Sequence, residues 1–221
     1  MSFVYQYTQF AQLISTVQND KNTISISTQT DTLAREQFVN FAHFFATGTA
    51  FLVRSSYGQP INALSDLCGK RVVVQATSIQ EIDLKTQNSK CGGNNITIQS
   101  VPSRANLINA VQSGTADVAV YDEAPLHVVA SQSNNALKVV GQPYDVQPYG
   151  ILCNQQNSVL CCALVDAINY LIQQGTYEQL LAKYSFSYKN NGVCPSRVNL
   201  NGTTCLTTCT PSASYCTSKF S

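Results

Sequence analysis

Charge is what this chain has least of. Its 221 residues include 13 basic and 12 acidic side chains, 11% of the total and a net of +1, where an average soluble domain carries about 25%. Phosphate binding needs a concentrated basic face, so nucleic acid is not expected as a partner. Long apolar runs are also missing, and no stretch approaches the roughly 18 apolar residues that a membrane-spanning helix requires. The opening MSFVYQYTQF has neither the basic n-region nor the apolar h-region of a secretory signal.

Catalytic signatures are thin as well. There is no G-x-S-x-G elbow, no H-E-x-x-H, no Gly-rich phosphate loop and no G-x-G-x-x-G. The two histidines, His43 and His127, give a zinc site or a triad little to build on. His43, among Phe41, Phe44 and Phe45, reads as a satisfied, half-buried residue, and His127 reads the same way. Cys205-x3-Cys209 lacks a flanking C-x-x-C pair, so it points to disulfides and not to metal. Neither a metal nor another cofactor is expected.

What the chain does have is nine cysteines, too many for an ordinary cytosolic protein and typical of an oxidising compartment. Sequons at Asn95-Ile96-Thr97 and Asn201-Gly202-Thr203 lean the same way, toward a secreted glycoprotein. Hydrophobic residues make up 44%, enough for a substantial globular core.

Along the chain, strand patterns alternate with helical ones. Strands are expected at Phe3 to Tyr7, Thr23 to Ser27, Phe51 to Val53, Arg71 to Gln75, Asp117 to Tyr121 and Leu137 to Val140. Helices are expected after Thr8, where Phe10, Leu13, Ile14 and Val17 share a face, and from Ser103 to Gly114. Two more cover Leu160 to Ile172 and Tyr177 to Tyr184. This alternation predicts an α/β fold with a parallel or mixed sheet. From Cys194 to Ser221 the periodicity disappears, and that Cys/Ser/Thr-rich stretch reads as an appendage.

Three segments carry chemistry. Thr28-Gln29-Thr30-Asp31-Thr32-Leu33-Ala34-Arg35 follows a strand and is expected to open a helix. Hydroxyls beside free helix N–H groups form an anion site, and an arginine a turn later adds a fork suited to a carboxylate. The plainer alternative is a capped helix start with a solvated arginine. Gln75-Ala76-Thr77-Ser78-Ile79 is a second strand running into a helix start. Tyr121-Asp122-Glu123 follows the strand ending at Val120, and a carboxylate there lies where open α/β sheets bind ligands. An arginine for a carboxylate and an aspartate for an amine together describe an amino-acid site.

TDTLAREQFVNF (Thr30 to Phe41) resembles the S-x-T-x-x-R-x-x-x-V-D-F stretch of the family 3 extracellular solute-binding proteins. These are type II periplasmic amino-acid-binding proteins, related to the ligand-binding cores of ionotropic glutamate receptors. INALSDLCGKRVVVQATSIQE, GTADVAVYDEAP, LKVVGQPYDVQPYGI and DAINYLIQQGTYEQLLAKY resemble four further family blocks in order and spacing, over residues 3–184. The resemblance implies a two-lobed periplasmic-binding-protein type II fold with a ligand cleft. Lobe 1 would comprise residues 1–46 and 150–184, lobe 2 residues 47–149, and a tail residues 185–221.

By the same resemblance, Arg35 would clamp the ligand's α-carboxylate, with Thr28 and Thr30 beside it. Ser78 and Ile79 would complete the anion site, and Asp122 would bind the α-ammonium. Closure of the cleft would capture an amino acid or similar small polar solute, and a membrane transporter or receptor would be the partner of a monomeric, extracellular or periplasmic protein. Departures from the family pattern are Ile79 for a common Thr, Thr77 for a common Gly, and a start after the family's first strand and helix, as in a truncated chain.

Within this frame Cys68 and Cys91 are expected to pair, and Cys194, Cys205, Cys209 and Cys216 to staple the tail. Adjacent Cys161 and Cys162 on one helix face different ways and are not expected to pair with each other. Two other readings remain open: a ligand-free secreted interaction or sensor module on this fold, and a dehydratase-like enzyme using Glu123 or Glu81.

Overall fold

The computed structural model describes residues 3–201. The chain forms two compact units, one of Gly48–Val146 with the stretch ending at Ala11, the other of Gln12–Thr47 with the chain from Gln147 onward.

In the first unit, β5 (Val118–Asp122) pairs antiparallel with the second half of β2 (Asn40–Arg54), so that Thr49 lies opposite Asp122 and Val53 opposite Val118. On its other side β5 runs parallel to β3 (Arg71–Gln75), and β3 runs parallel to β4 (Thr97–Val101). The sheet is therefore mixed, as the alternation predicts. Consecutive Val72, Val73 and Val74 are all fully buried, because a central parallel strand is covered on both faces. Side chains alternate across a strand. Val73 joins Ala119, Leu107, Ala110 and Val111 on one face, while Val72 and Val74 join Val118, Val120, Leu67 and Leu84 on the other.

The helices of this unit begin and end where local chemistry directs. In α3 (Arg104–Ser113), Ser103 Oγ accepts from the Asn106 N–H, and Gly114 closes the helix at φ +79°, a left-handed cap that glycine adopts without Cβ strain. Helix α2 (Ile79–Asn88) starts at Ser78, and α4 (Glu123–Ser131) follows β5 directly. A Cys68–Cys91 disulfide, Cα atoms 5.5 Å apart, ties the approach to β3 to the end of α2. That pairing is the one expected.

The second unit is built on α1 (Leu13–Asn19), β1 (Ile24–Ser25), the first half of β2, the second half of β6 (Leu137–Cys153), α5 (Ser158–Gln173), α6 (Thr176–Lys183) and α7 (Tyr188–Asn191). Strand β1 is antiparallel to β6, with Ile24 opposite Cys153. Cys161, Val165, Ile168 and Ile172 recur at helical spacing on α5 and form the core with Tyr177, Leu181, Ala42, Val193 and Val198. Cys153 and Cys161 are bonded to each other, and Cys162 and Cys194 are each disulfide-bonded as well. Cys205, Cys209 and Cys216 lie outside the described residues.

Three expectations are corrected. Phe3 to Tyr7 forms no strand, and Val4 and Tyr5 are more than nine-tenths exposed. A β-favouring run stays a strand only when a partner supplies the ladder. No α-helix follows Thr28–Arg35; the segment closes in a single 3-10 turn, Arg35–Gln37. The chain from Cys194 to Leu200 is no appendage, since Ser196 and Val198 are buried and an isolated bridge joins Val198 to Ala42.

Gly150 sits where a Cβ would lie 2.5 Å from Phe41 Cβ, and Phe41 is fully buried. Gly150→Ala is expected to destabilise by about 1–3 kcal/mol through overpacking, read as a lower urea midpoint with an unchanged slope.

Candidate functional site

In the second unit, Gln29, Thr30 and Asp31 form a buried extended segment. Backbone bonds fix its register: Gly150 N–H donates to Gln29 O, Thr30 bridges Tyr149, and Asp31 N–H donates to Pro148 O. The chain then turns at Thr32, whose carbonyl accepts from the N–H groups of Arg35 and Glu36 and whose hydroxyl accepts from Arg35 N–H at 3.3 Å. The Arg35 side chain folds back over this turn, and its Nη1 donates to Thr30 O at 2.8 Å. The arginine is thus oriented beside Thr30 and is not a solvated surface group, while Thr28 is half-buried at the bend before it.

Directly behind Thr30 lies a buried pair that the sequence did not single out. Asp31 Oδ2 is 2.7 Å from His43 Nε2, and both side chains are out of water. Burial pushes the Asp31 carboxyl up to about 6; the bond to His43 opposes this and the nearby Glu36 charge adds to it. Asp31 Oδ1 has no hydrogen-bond partner, a situation that penalises the charged form. His43 is therefore a satisfied buried histidine, as expected, but its partner is an acid.

In the first unit, Ser78 caps α2: its Oγ accepts from Glu81 N–H at 3.2 Å and donates to Gln75 O at 2.7 Å. Ile79 follows as the first helical residue, so the segment is the helix start that was read from sequence. Asp122, buried at the end of β5, accepts from Gln80 Nε2 at 2.8 Å, and the same amide donates to Thr49 Oγ1 at 3.1 Å. Gln80 thereby joins the helix that carries Ser78 and Ile79 to the strand that carries Asp122. Gln80 and Thr49 were missed, because nothing local marks a glutamine inside a helix as the partner of a carboxylate 42 residues later. Burial raises the Tyr144 phenol well above its ordinary range, and the charges of Asp83, Asp145 and Asp122 act in the same direction.

Of the other candidates, His127 is exposed and 3.4 Å from Glu123. Glu81 is occupied by Thr77 N–H, Ser100 Oγ and Lys85. Among the described residues, no group of His, Cys, Asp and Glu is placed to hold a metal ion, and no helix is long and apolar enough to cross a membrane.

These features define a mixed α/β binding protein of the periplasmic type II class. The chain belongs to the bacterial extracellular solute-binding proteins, family 3, whose model matches residues 1–187. It is 27% identical over 188 residues to the arginine-binding protein ArgT of Corynebacterium glutamicum, covering 83% of this chain and 61% of that one. It is 26% identical to the ABC transporter glutamine-binding protein GlnH of Bacillus subtilis, covering 77% and 60%. The chain thus spans about three-fifths of the length of these two relatives.

Among solved structures, an ancestral arginine-binding protein bound to glutamine superposes with a TM-score of 0.74 at 27% identity, over 81% of this chain and 78% of that one. The GluR0 ligand-binding core from Nostoc punctiforme in complex with L-glutamate gives 0.72 at 27%, over 84% and 83%. Family and relatives are binding proteins and not enzymes.

Thr77, in place of a common family glycine, holds φ +63°. A left-handed β-branched residue costs about 1–2 kcal/mol. Thr77→Gly is expected to raise stability by about 0.5–1 kcal/mol after the greater freedom of the unfolded chain is subtracted. Chemical denaturation checks this, and a loss of stability would mean that the 2.6 Å bond from Thr77 Oγ1 to Ala76 O outweighs the strain.

Proposed function

We propose that this chain is an extracellular solute-binding protein that captures a free α-amino acid by closure of its two units. Arg35, with Thr28 and Thr30, takes the α-carboxylate, the N–H groups at Ser78 and Ile79 complete the anion site, and Asp122 takes the α-ammonium. The observation that carries this reading is the 2.8 Å bond that folds Arg35 onto Thr30 O. It orients a guanidinium fork beside two hydroxyl residues, as a carboxylate clamp requires. The buried Asp122 supplies the complementary charge. Closure would be driven only by the extra contacts that the ligand makes in the closed state.

Amino acids with a cationic side chain are the first candidates. The similarity to proteins named for arginine supports this. Secretion fits the disulfides of both units and the exposed Asn95 of the first sequon. A membrane transporter or receptor is the proposed partner.

Isothermal calorimetry with the twenty amino acids tests the reading. One responding group is expected, and Arg35→Ala should weaken its binding by about 2–5 kcal/mol because the desolvated carboxylate loses its partner. Silence across all twenty would instead favour the interaction or sensor module, and unchanged affinity in the variant would remove Arg35 from the site.

A further inference from the structure

The Asp31–His43 pair is buried, ionisable and unused by the proposed binding scheme. Its placement is specific. The peptide group between Thr30 and Asp31 is gripped at both ends, its carbonyl by Arg35 Nη1 at 2.8 Å and its N–H by Pro148 O at 2.9 Å. The Asp31 side chain therefore springs from the peptide that positions the guanidinium. On the other side His43 is fixed through its own backbone, since its N–H donates to Arg197 O and its carbonyl accepts from Ser196 Oγ at 2.6 Å. Two rigid supports thus press a carboxyl against an imidazole directly behind the clamp.

The groups that face the pair are few. Glu36, on the Arg35–Gln37 turn, adds its charge to Asp31, while its own Oε1 accepts from Leu200 N–H at 2.7 Å. Arg197 presents its carbonyl and keeps its side chain exposed.

We propose that Asp31 and His43 are positioning residues for Arg35 that couple ligand binding to the uptake of one proton. With the carboxyl ionised, Asp31 places a buried negative charge next to the peptide that Arg35 grips, and that charge disfavours the ligand's carboxylate. Protonation of Asp31 removes that charge while the contact with His43 persists, and the surroundings of Arg35 then favour an incoming carboxylate. Coupling is reciprocal, so a bound carboxylate favours the protonated pair as much as the protonated pair favours the carboxylate.

The sign follows from burial. Asp31 holds its proton up to about pH 6 in the folded chain, against about 4 in an unfolded one. The stability that the proton contributes is complete below the unfolded value and is lost as pH rises through about 6. Amino-acid affinity should follow the same course, higher at pH 5.5 than at pH 7.5. This inference rests on Arg35 acting as the carboxylate clamp.

Calorimetry with L-arginine, or with the amino acid that responds best, tests it at pH 5.5, 6.5 and 7.5. At pH 6.5 it is repeated in two buffers of different ionisation enthalpy. The expected result is about five- to tenfold tighter binding at pH 5.5 than at 7.5, with a fraction of a proton taken up per ligand at pH 6.5. Asp31→Asn should flatten the profile and abolish the uptake, whereas His127→Gln should change neither. A flat wild-type profile, or proton uptake that persists in Asp31→Asn, overturns the proposal.

Should Asp31→Asn fail to fold, His43→Gln decides. It leaves the carboxyl buried without its imidazole, so the midpoint of the profile should move, and an unmoved midpoint overturns the coupling. If no amino acid binds, it is the functional reading that has failed. The pair is then followed by carboxyl-carbon NMR of the ligand-free protein, where an Asp31 titrating near pH 4 refutes its proton-holding role.

Discussion

Two carboxylates withdrawn from water, one in each unit, set the terms for the candidate residues around them. A buried ionised carboxyl without partners is among the costliest groups a fold can hold, and this chain has only 12 acidic residues in all. Asp122 is answered by an amide: Gln80 donates to it and to Thr49, which also faces Asp122 in the ladder. Asp31 is answered by an imidazole 2.7 Å away, and burial pushes its carboxyl up to about 6, so its charge is adjustable. The same residue type thus plays two parts because its neighbours differ.

Much of the fold was legible because its signals are local. The span from Ser103 to Gly114 has its cap, its apolar spacing and its terminating glycine within twelve consecutive letters, and α3 fills it. Three adjacent valines marked Arg71 to Gln75 as a buried strand, and Leu160 to Ile172 read as a helix, which α5 fills with Cys161, Val165, Ile168 and Ile172 on its inner face. Phe3 to Tyr7 misled for the same reason that these succeeded. Its composition favours a strand, but strand formation is a property of pairs, and no ladder joins it among the described residues. The segment after Thr28 misled differently. Its caps are real, yet they serve a turn held in extended register by residues 148–150, which no local pattern reveals.

The candidate residues divide in the same way. The Ser78–Ile79 helix start and Asp122 could be singled out because each follows a recognisable strand, whereas Arg35 was singled out on a helix that proves to be a 3-10 turn. Gln80, Thr49, Asp31 and His43 could not, because what matters in them is a contact between residues 12 to 42 positions apart. Such partners are set by topology, and only the folded chain brings them together.

The staples add a last step. Cys68–Cys91 closes a loop containing β3 and the whole of α2, and so secures the helix that carries Ser78, Ile79 and Gln80. Cys153–Cys161 joins the end of β6 to the start of α5, next to the pairing of Ile24 with Cys153. Each unit is therefore reinforced within itself. Under the proposed closure this is the useful place for rigidity. A binding surface held firm before the ligand arrives loses less conformational freedom on binding, and the freedom that the proposed closure needs is left to the three chain crossings at 11–12, 47–48 and 146–147.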